Sequence, residues 1–292
     1  MFRRLLFVLA LSSSACLPKD TRPPPGELHV VATADDALTS GVDTADGWHV
    51  TFDRFLVSLG HASVEGDACI GYSDPTYNRV LDMARGGPQD VNLVFAYGQC
   101  DFDFELSSPW EDSVLGAGVT AADRTAMRTP GSDPYVTDAG ISIAVEGRAR
   151  RDQVEKTFAW SYRRRIDYST CQVTIDGKKV VGVSVAREQT TTVDLDVNGA
   201  VLFADHLAAD EASFRFDAFA AGDTNDDGIV TLDELAGVAL ASVGTAGAYS
   251  DAKPQWATLA DYLYDGLFAK VVRYRGNGTC ETEIFANDRT PH

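Results

Sequence analysis

From residue 28 to 204 the chain repeats one unit, a short run of β-branched and aromatic residues closed by Gly, Asn, Asp or Pro. Branched and aromatic side chains pack well on a pleated, half-buried surface and the closing residues make turns, so the unit predicts strands. The runs are ELHVVATA (27–34), WHVTFDRFLVSLGHASV (48–64), QDVNLVFAY (89–97), CDFDFELSS (100–108), GISIAVEGRAR (140–150), KTFAWSYRRRIDY (156–168), CQVTID (171–176), KVVGVSVARE (179–188) and TTTVDLDV (190–197). Several alternate strictly. Phe102, Phe104 and Leu106 share one face of their run while Asp103 and Glu105 share the other, which gives one dry face and one wet face. Ile141, Ile143 and Val145 repeat the pattern, as do Val193, Leu195 and Val197 with Asp194 and Asp196 on the wet side. Asp176-Gly177 and Asn198-Gly199 have the chemistry of two-residue hairpin tips, because Gly and Asn tolerate positive φ. Many strands with short turns imply a mainly β chain, expected as an antiparallel β-sandwich over 28–204.

Beyond residue 205 the texture changes to runs rich in Ala and Leu, 207–223 and 232–243 among them. In 254–274, Trp256, Leu259, Leu263, Leu267 and Val271 recur at three- and four-residue steps, one helical face with Pro254 suited to its first turn. The expected architecture is therefore a sandwich with a C-terminal helical segment, 205–292, packed on it.

The N-terminus, MFRRLLFVLALSSSAC, has two arginines ahead of a short apolar run and then small residues, the layout of a secretory signal over 1–15. It resembles a bacterial lipoprotein signal. That resemblance implies cleavage before Cys16, lipid attachment at Cys16 and a membrane anchor. Ser13 stands where such signals usually carry an aliphatic residue, which leaves cleavage without lipidation open. Leu17, rather than Asp, follows the cysteine, which by the same resemblance implies an outer-membrane protein, periplasmic or at the cell surface. Residues 16–27, rich in proline and charge, read as an extended tether.

Cys69, Cys100, Cys171 and Cys280 remain after Cys16, an even number in an exported chain, which favours two disulfides in one of three pairings. No CxxC spacing occurs, so the cysteines do not read as a zinc cluster. The formal net charge is −18, a surface that repels nucleic acid and attracts cations.

One stretch carries recognisable chemistry. DTNDDGIVTLDE, residues 223–234, resembles the calcium-binding loop of EF-hands over all twelve positions. The resemblance implies Ca2+ held by side-chain oxygens of Asp223, Asn225 and Asp227, the backbone carbonyl of Ile229, Thr231 directly or through water, and both oxygens of Glu234. Gly228 permits the sharp turn. Thr231 and Glu234 also spell the T-x-x-E capping box, so the last ligand starts the following helix. No second loop exists to pair with Val230, and the Phe-Arg-Phe-Asp alternation in the run before the loop, SFRFDAFAAG, implies an entering helix that is short or replaced by a strand. A lone loop of this kind implies a fixed calcium site rather than an opening sensor.

The remaining constellations are weaker. His49 and His61 are twelve residues apart on one candidate strand, too far for a shared ion. Arg163–Arg165 read as a charged edge or wet face of a strand, and a hairpin that brings Arg148, Arg150 and Arg151 beside them is the weaker case for a basic groove. No G-x-S-x-G, H-E-x-x-H or phosphate-cradling loop occurs. The expected function is that of a calcium-binding exported lipoprotein with a structural or ligand-binding role. The alternative is an exported calcium-dependent hydrolase using Asp101, Asp103 and Glu105.

Overall fold

A computed structural model describes residues 21–286; the segment 1–15 expected to be a signal and the expected lipid-attachment residue Cys16 lie outside the described residues. The longer strands are β1 (Gly26–Ala34), β2 (His49–Glu65), β3 (Pro88–Leu106), β4 (Ile143–Arg151), β5 (Val154–Tyr162), β6 (Arg164–Ile175), β7 (Thr190–Val197) and β8 (Thr279–Ala286). With shorter strands they form one connected sheet that curls on itself. Along its main path the order is Ile229–Val230, β5, β4, β2, β3, β1, β7, Val272–Tyr274.

β3 makes the curl. Its first half pairs with β1, Gly26 facing Ala96 and Thr33 facing Pro88, while its last residues pair with β2 and β6. Between the halves stands Gly98, at φ 114 and with its α-carbon face against the Ala68 carbonyl, where a Cβ would come within 2.0 Å. Only glycine fits such a bend. The alternating residues of both halves then converge on one core: Leu28, Val30 and Ala32 of β1, Phe102, Phe104 and Leu106 of β3, and Val193, Leu195 and Val197 of β7 are all buried.

Several expectations are corrected. The runs 89–97 and 100–108 are one strand, β3. The run 156–168 is two strands, breaking at Arg163, whose amide donates to Tyr264 Oη (3.0 Å) instead of a ladder partner. The sheet is not purely antiparallel, since β1 lies parallel to β7 from Glu27↔Thr190 to Ala34↔Val197. Asp176-Gly177 is a hairpin tip with both residues at positive φ, joining Ile175 to Lys178. Asn198-Gly199 is not. Asn198 Oδ1 accepts from Val201 N (3.0 Å) and starts a 3-10 turn, Ala200–Phe203, and Gly199 leaves room for Leu38, which a Cβ would meet at 2.5 Å. Within the expected tether, Tyr72 Oη donates to the Pro23 carbonyl and Arg22 lies over the Tyr72 ring.

The stripe of 254–274 is buried throughout, but a single helix does not carry it. The helical segment starts at the Thr258 cap, runs Leu259–Asp261, widens to a π-turn over Tyr262–Leu267 and ends as 3-10 at Phe268–Lys270. Val272–Tyr274 is already a strand against β7. Pro254 therefore precedes the helix. Ala121–Arg128, a two-turn helix unassigned from sequence, opens with a capping box of Thr120 and Asp123.

Both disulfides form, Cys69 with Cys100 and Cys171 with Cys280. Among the described residues no helix is long and apolar enough to cross a membrane.

Candidate functional site

The twelve-residue loop grows out of the sheet's outer end. A single helical turn, Asp217–Ala220, enters it. That turn is fastened to the sheet: Asp217 Oδ1 accepts from Trp48 Nε1 (2.9 Å) and Arg151 Nη1 (2.6 Å), and Asp46 Oδ2 accepts from the Phe216 and Asp217 amides. Phe216 and Phe219 anchor it in an aromatic cluster with Phe158, Trp160 and Phe203.

Within the loop the side-chain oxygens turn inward onto the loop's own amides. Asp223 Oδ1 accepts from Asp227 N (3.1 Å) and its Oδ2 from Gly228 N (2.9 Å). Asn225 Oδ1 also accepts from Asp227 N (2.9 Å), and Asp227 Oδ1 from Ile229 N (2.8 Å). Gly228, at φ 82, makes the sharp turn expected of it. Ile229–Val230 then pairs in parallel with Thr157 and Phe158 of β5. Trp160 Nε1 donates to the Val230 carbonyl (2.9 Å), and Val230 is fully buried. The stretch that lacks a second loop to pair with has a strand of the sheet instead.

The exit follows the capping box. Thr231 Oγ1 accepts from Glu234 N, and Glu234 Oε2 accepts from the Thr231 amide (2.9 Å) and hydroxyl (2.8 Å). The helix so started is one turn, Leu232–Leu235, with both leucines buried. Glu234 Oε1 is buried and has no hydrogen-bond partner. A buried carboxylate oxygen without a donor is costly, and a cation would satisfy it.

Lys156, missed in the sequence, reaches the loop from β5. Its Nζ lies 2.5 Å from Asp223 Oδ2 and 3.5 Å from Asp226 Oδ1. This hydrogen bond, with support from the Gly228 and Asp227 amides, holds the Asp223 carboxyl below the usual range. The signal for Lys156 was parity: Lys156, Phe158, Trp160 and Tyr162 occupy alternate positions on one face of β5, the last three buried. Among the described residues no group of three or more His, Cys, Asp or Glu gathers to hold a metal. The donor set of the loop fits an oxygen-seeking cation through Asn225, Thr231 and the Ile229 carbonyl as well as its acids, with Lys156 standing beside Asp223.

Most of the other candidates are engaged by neighbours of their own. Asp103 accepts from Thr170 N (3.1 Å), and burial, then repulsion by Glu65 and Asp101, pushes its carboxyl up. Glu105 is bound by Arg165 (2.9 Å). His49 contacts Asp43 (2.7 Å), whereas His61 sits at positive φ in a bulge of β2. Arg148 pairs with Asp53, Arg150 with Glu155, Arg151 with Asp217 and Arg164 with Asp265. The arginine-rich strands are thus matched charge for charge. Comparison of the chain with family models, curated proteins and solved structures gave no match.

Proposed function

We propose that the chain is an exported protein of the cell envelope, lipid-anchored through Cys16, in which Ca2+ bound by residues 223–234 fastens the C-terminal segment to the sheet. Its role is structural or ligand-binding. The pairing of Ile229–Val230 with β5 carries this reading, because it makes the loop an extension of the sheet and ties any ion bound there to the core. The unpartnered Glu234 Oε1 supports it. So do the two disulfides, which persist in oxidising compartments. In this reading the two halves of the curled sheet, joined through β3, serve as the layers of the expected sandwich. Asp223, Asn225, Asp227, Ile229, Thr231 and Glu234 supply the oxygens, with the weak affinity of extracellular sites, roughly 10⁻⁴ to 10⁻³ M.

Equilibrium dialysis against calcium tests the proposal directly. One retained ion per chain is expected, lost in Asp223→Ala and Glu234→Ala, and millimolar calcium should raise the melting temperature of the wild type only. No retained calcium, or equal calcium response in both variants, overturns it.

A further inference from the structure

A cleft of about 520 Å³ opens on the side of the molecule formed by Leu259–Lys270, Val272–Tyr274 and β8. It shares no residue with the 223–234 loop. Three cations line it, Lys253, Lys270 and Arg273, against one carboxylate, Asp265. That balance is the reverse of the whole chain, which has 43 Asp and Glu to 25 Lys and Arg.

The carboxylates nearby are already engaged. Asp265 lies 3.0 Å from Arg164. Asp251, which attracts Lys270, accepts from Leu207 N and Tyr262 Oη. Asp196, across the ladder from Arg273, accepts from Gly276 N. Among the described residues neither Lys270 nor Arg273 has a carboxylate within ion-pair distance, in contrast to the matched arginines of β4 and β6. Burial first, then the charges of Arg273 and Lys253, push the Lys270 ammonium below the ordinary lysine range. Cations held together half-buried repel one another and lose hydration, a cost that an anion between them removes.

The rest of the cleft offers a body site beside the charged one. The Trp256 indole forms part of the wall, with Lys253 Nζ 5.0 Å from its ring centroid. Gly266 lets that ring lie close, since a Cβ there would meet it at 3.2 Å. Tyr168 and Ile284 add apolar surface, and Thr282 a hydroxyl. Cys280, joined to Cys171, fixes the β8 wall.

We infer that this cleft binds a small organic anion, its phosphate or carboxylate head between Lys270 and Arg273 and its flat body against Trp256 and Ile284. The inference stands apart from the calcium reading, and either can fail alone.

Isothermal titration of the disulfide-intact chain with phenyl phosphate, inorganic phosphate and benzoate is the test. Saturable 1:1 binding is expected for phenyl phosphate or benzoate, whichever carries the right head, and the comparison identifies the head. Inorganic phosphate, lacking the body, should bind about tenfold more weakly than phenyl phosphate. Lys270→Met with Arg273→Gln should weaken binding by at least about tenfold, as expected when charge-assisted contacts are lost, while Lys179→Gln, an exposed charge on another strand, leaves it unchanged. Lys253→Gln, at an exposed position, repeats the test more gently, with roughly threefold weakening expected should the double variant fail to fold. Absence of saturable binding by all three probes at millimolar concentration, or equal binding by wild type and the folded charge variants, overturns the proposal.

Discussion

Lys156 Nζ lies 2.5 Å from Asp223 Oδ2, so that a lysine on the inward row of β5 holds the first residue of the twelve-residue loop. The ammonium supplies the positive charge that a calcium ion would otherwise bring to this carboxylate. A lysine and a divalent cation repel one another, so calcium bound in the loop as proposed would compete with Lys156 for Asp223. Lys156→Met is therefore expected to tighten calcium binding by about fivefold, the order of one close charge contact in water. It should also lower the melting temperature in EDTA, where Asp223 loses its partner. Calcium titration of the variant checks the first effect, and unchanged affinity would mean that Lys156 does not compete.

Trp160, on the same face of β5 as Lys156, couples the loop to the core. Its indole N–H donates to the Val230 carbonyl in a fully buried setting. Trp160→Phe keeps most of the ring but leaves that carbonyl without its donor, a loss of about 1–3 kcal/mol. Urea unfolding should show the loss, and it should persist in saturating calcium, because the bond belongs to the sheet and not to the ion.

Much of this was legible in the chain and the misses have physical causes. The alternation in 100–108 and 190–197 gave the buried rows correctly, because period two is a local property of a strand. The parallel pairing of β1 with β7 joins residues more than 150 positions apart, and nothing local encodes it. The capping box at Thr231 was readable. The same device stands at Thr120–Asp123 and Thr258–Asp261, with aspartate in place of glutamate at the third position. The three- and four-residue spacing from Trp256 to Val271 predicts one helix, yet Val272 and Tyr274 are buried at period two, with Arg273 between them, where the chain has become a strand.

Asp205 predicts a pH-dependent stability. It is 3% exposed and accepts from His206 Nδ1 (3.0 Å), Ser213 N (2.7 Å) and Arg215 Nε (2.6 Å), pinning the 205–215 loop. Burial alone would raise its carboxyl, but the bonds from His206, Arg215 and Ser213 outweigh it and hold the group below its usual range. Its contribution is therefore complete above the ordinary aspartate range and is lost as pH falls through the depressed value. His206 moves the other way. The bond to Asp205 raises it above 6.5, so its contribution is complete below 6.5 and is lost as pH rises through the raised value. Chemical unfolding across pH should show both limbs. Asp205→Asn removes both and costs about 3 kcal/mol at neutral pH, as for one partner of a buried charge pair. His206→Gln should flatten only the upper limb.

The Cys171–Cys280 bond predicts a localised response to reduction. It closes a separation of 109 residues, against 31 for Cys69–Cys100, so on chain entropy alone it removes about 5 kcal/mol of unfolded-state freedom and the shorter bond about 4 kcal/mol. Position matters more than that difference. Among the described residues β8 pairs in the sheet only with β6, and most of its side chains are exposed. The disulfide joins these two strands where their register slips between Ser169 and Gln172. Little apolar burial would hold β8 once the bond is gone. In Cys171→Ala with Cys280→Ala, amide exchange should accelerate by at least about tenfold across Thr279–Ala286 while β1 and β7 keep their protection. The Cys69→Ala, Cys100→Ala variant should instead loosen the bend at Gly98, where Cys69 faces Gly98 across the ladder. Uniform acceleration through the whole sheet in either variant would show that the bond acts only on the unfolded chain and does not fasten a particular edge.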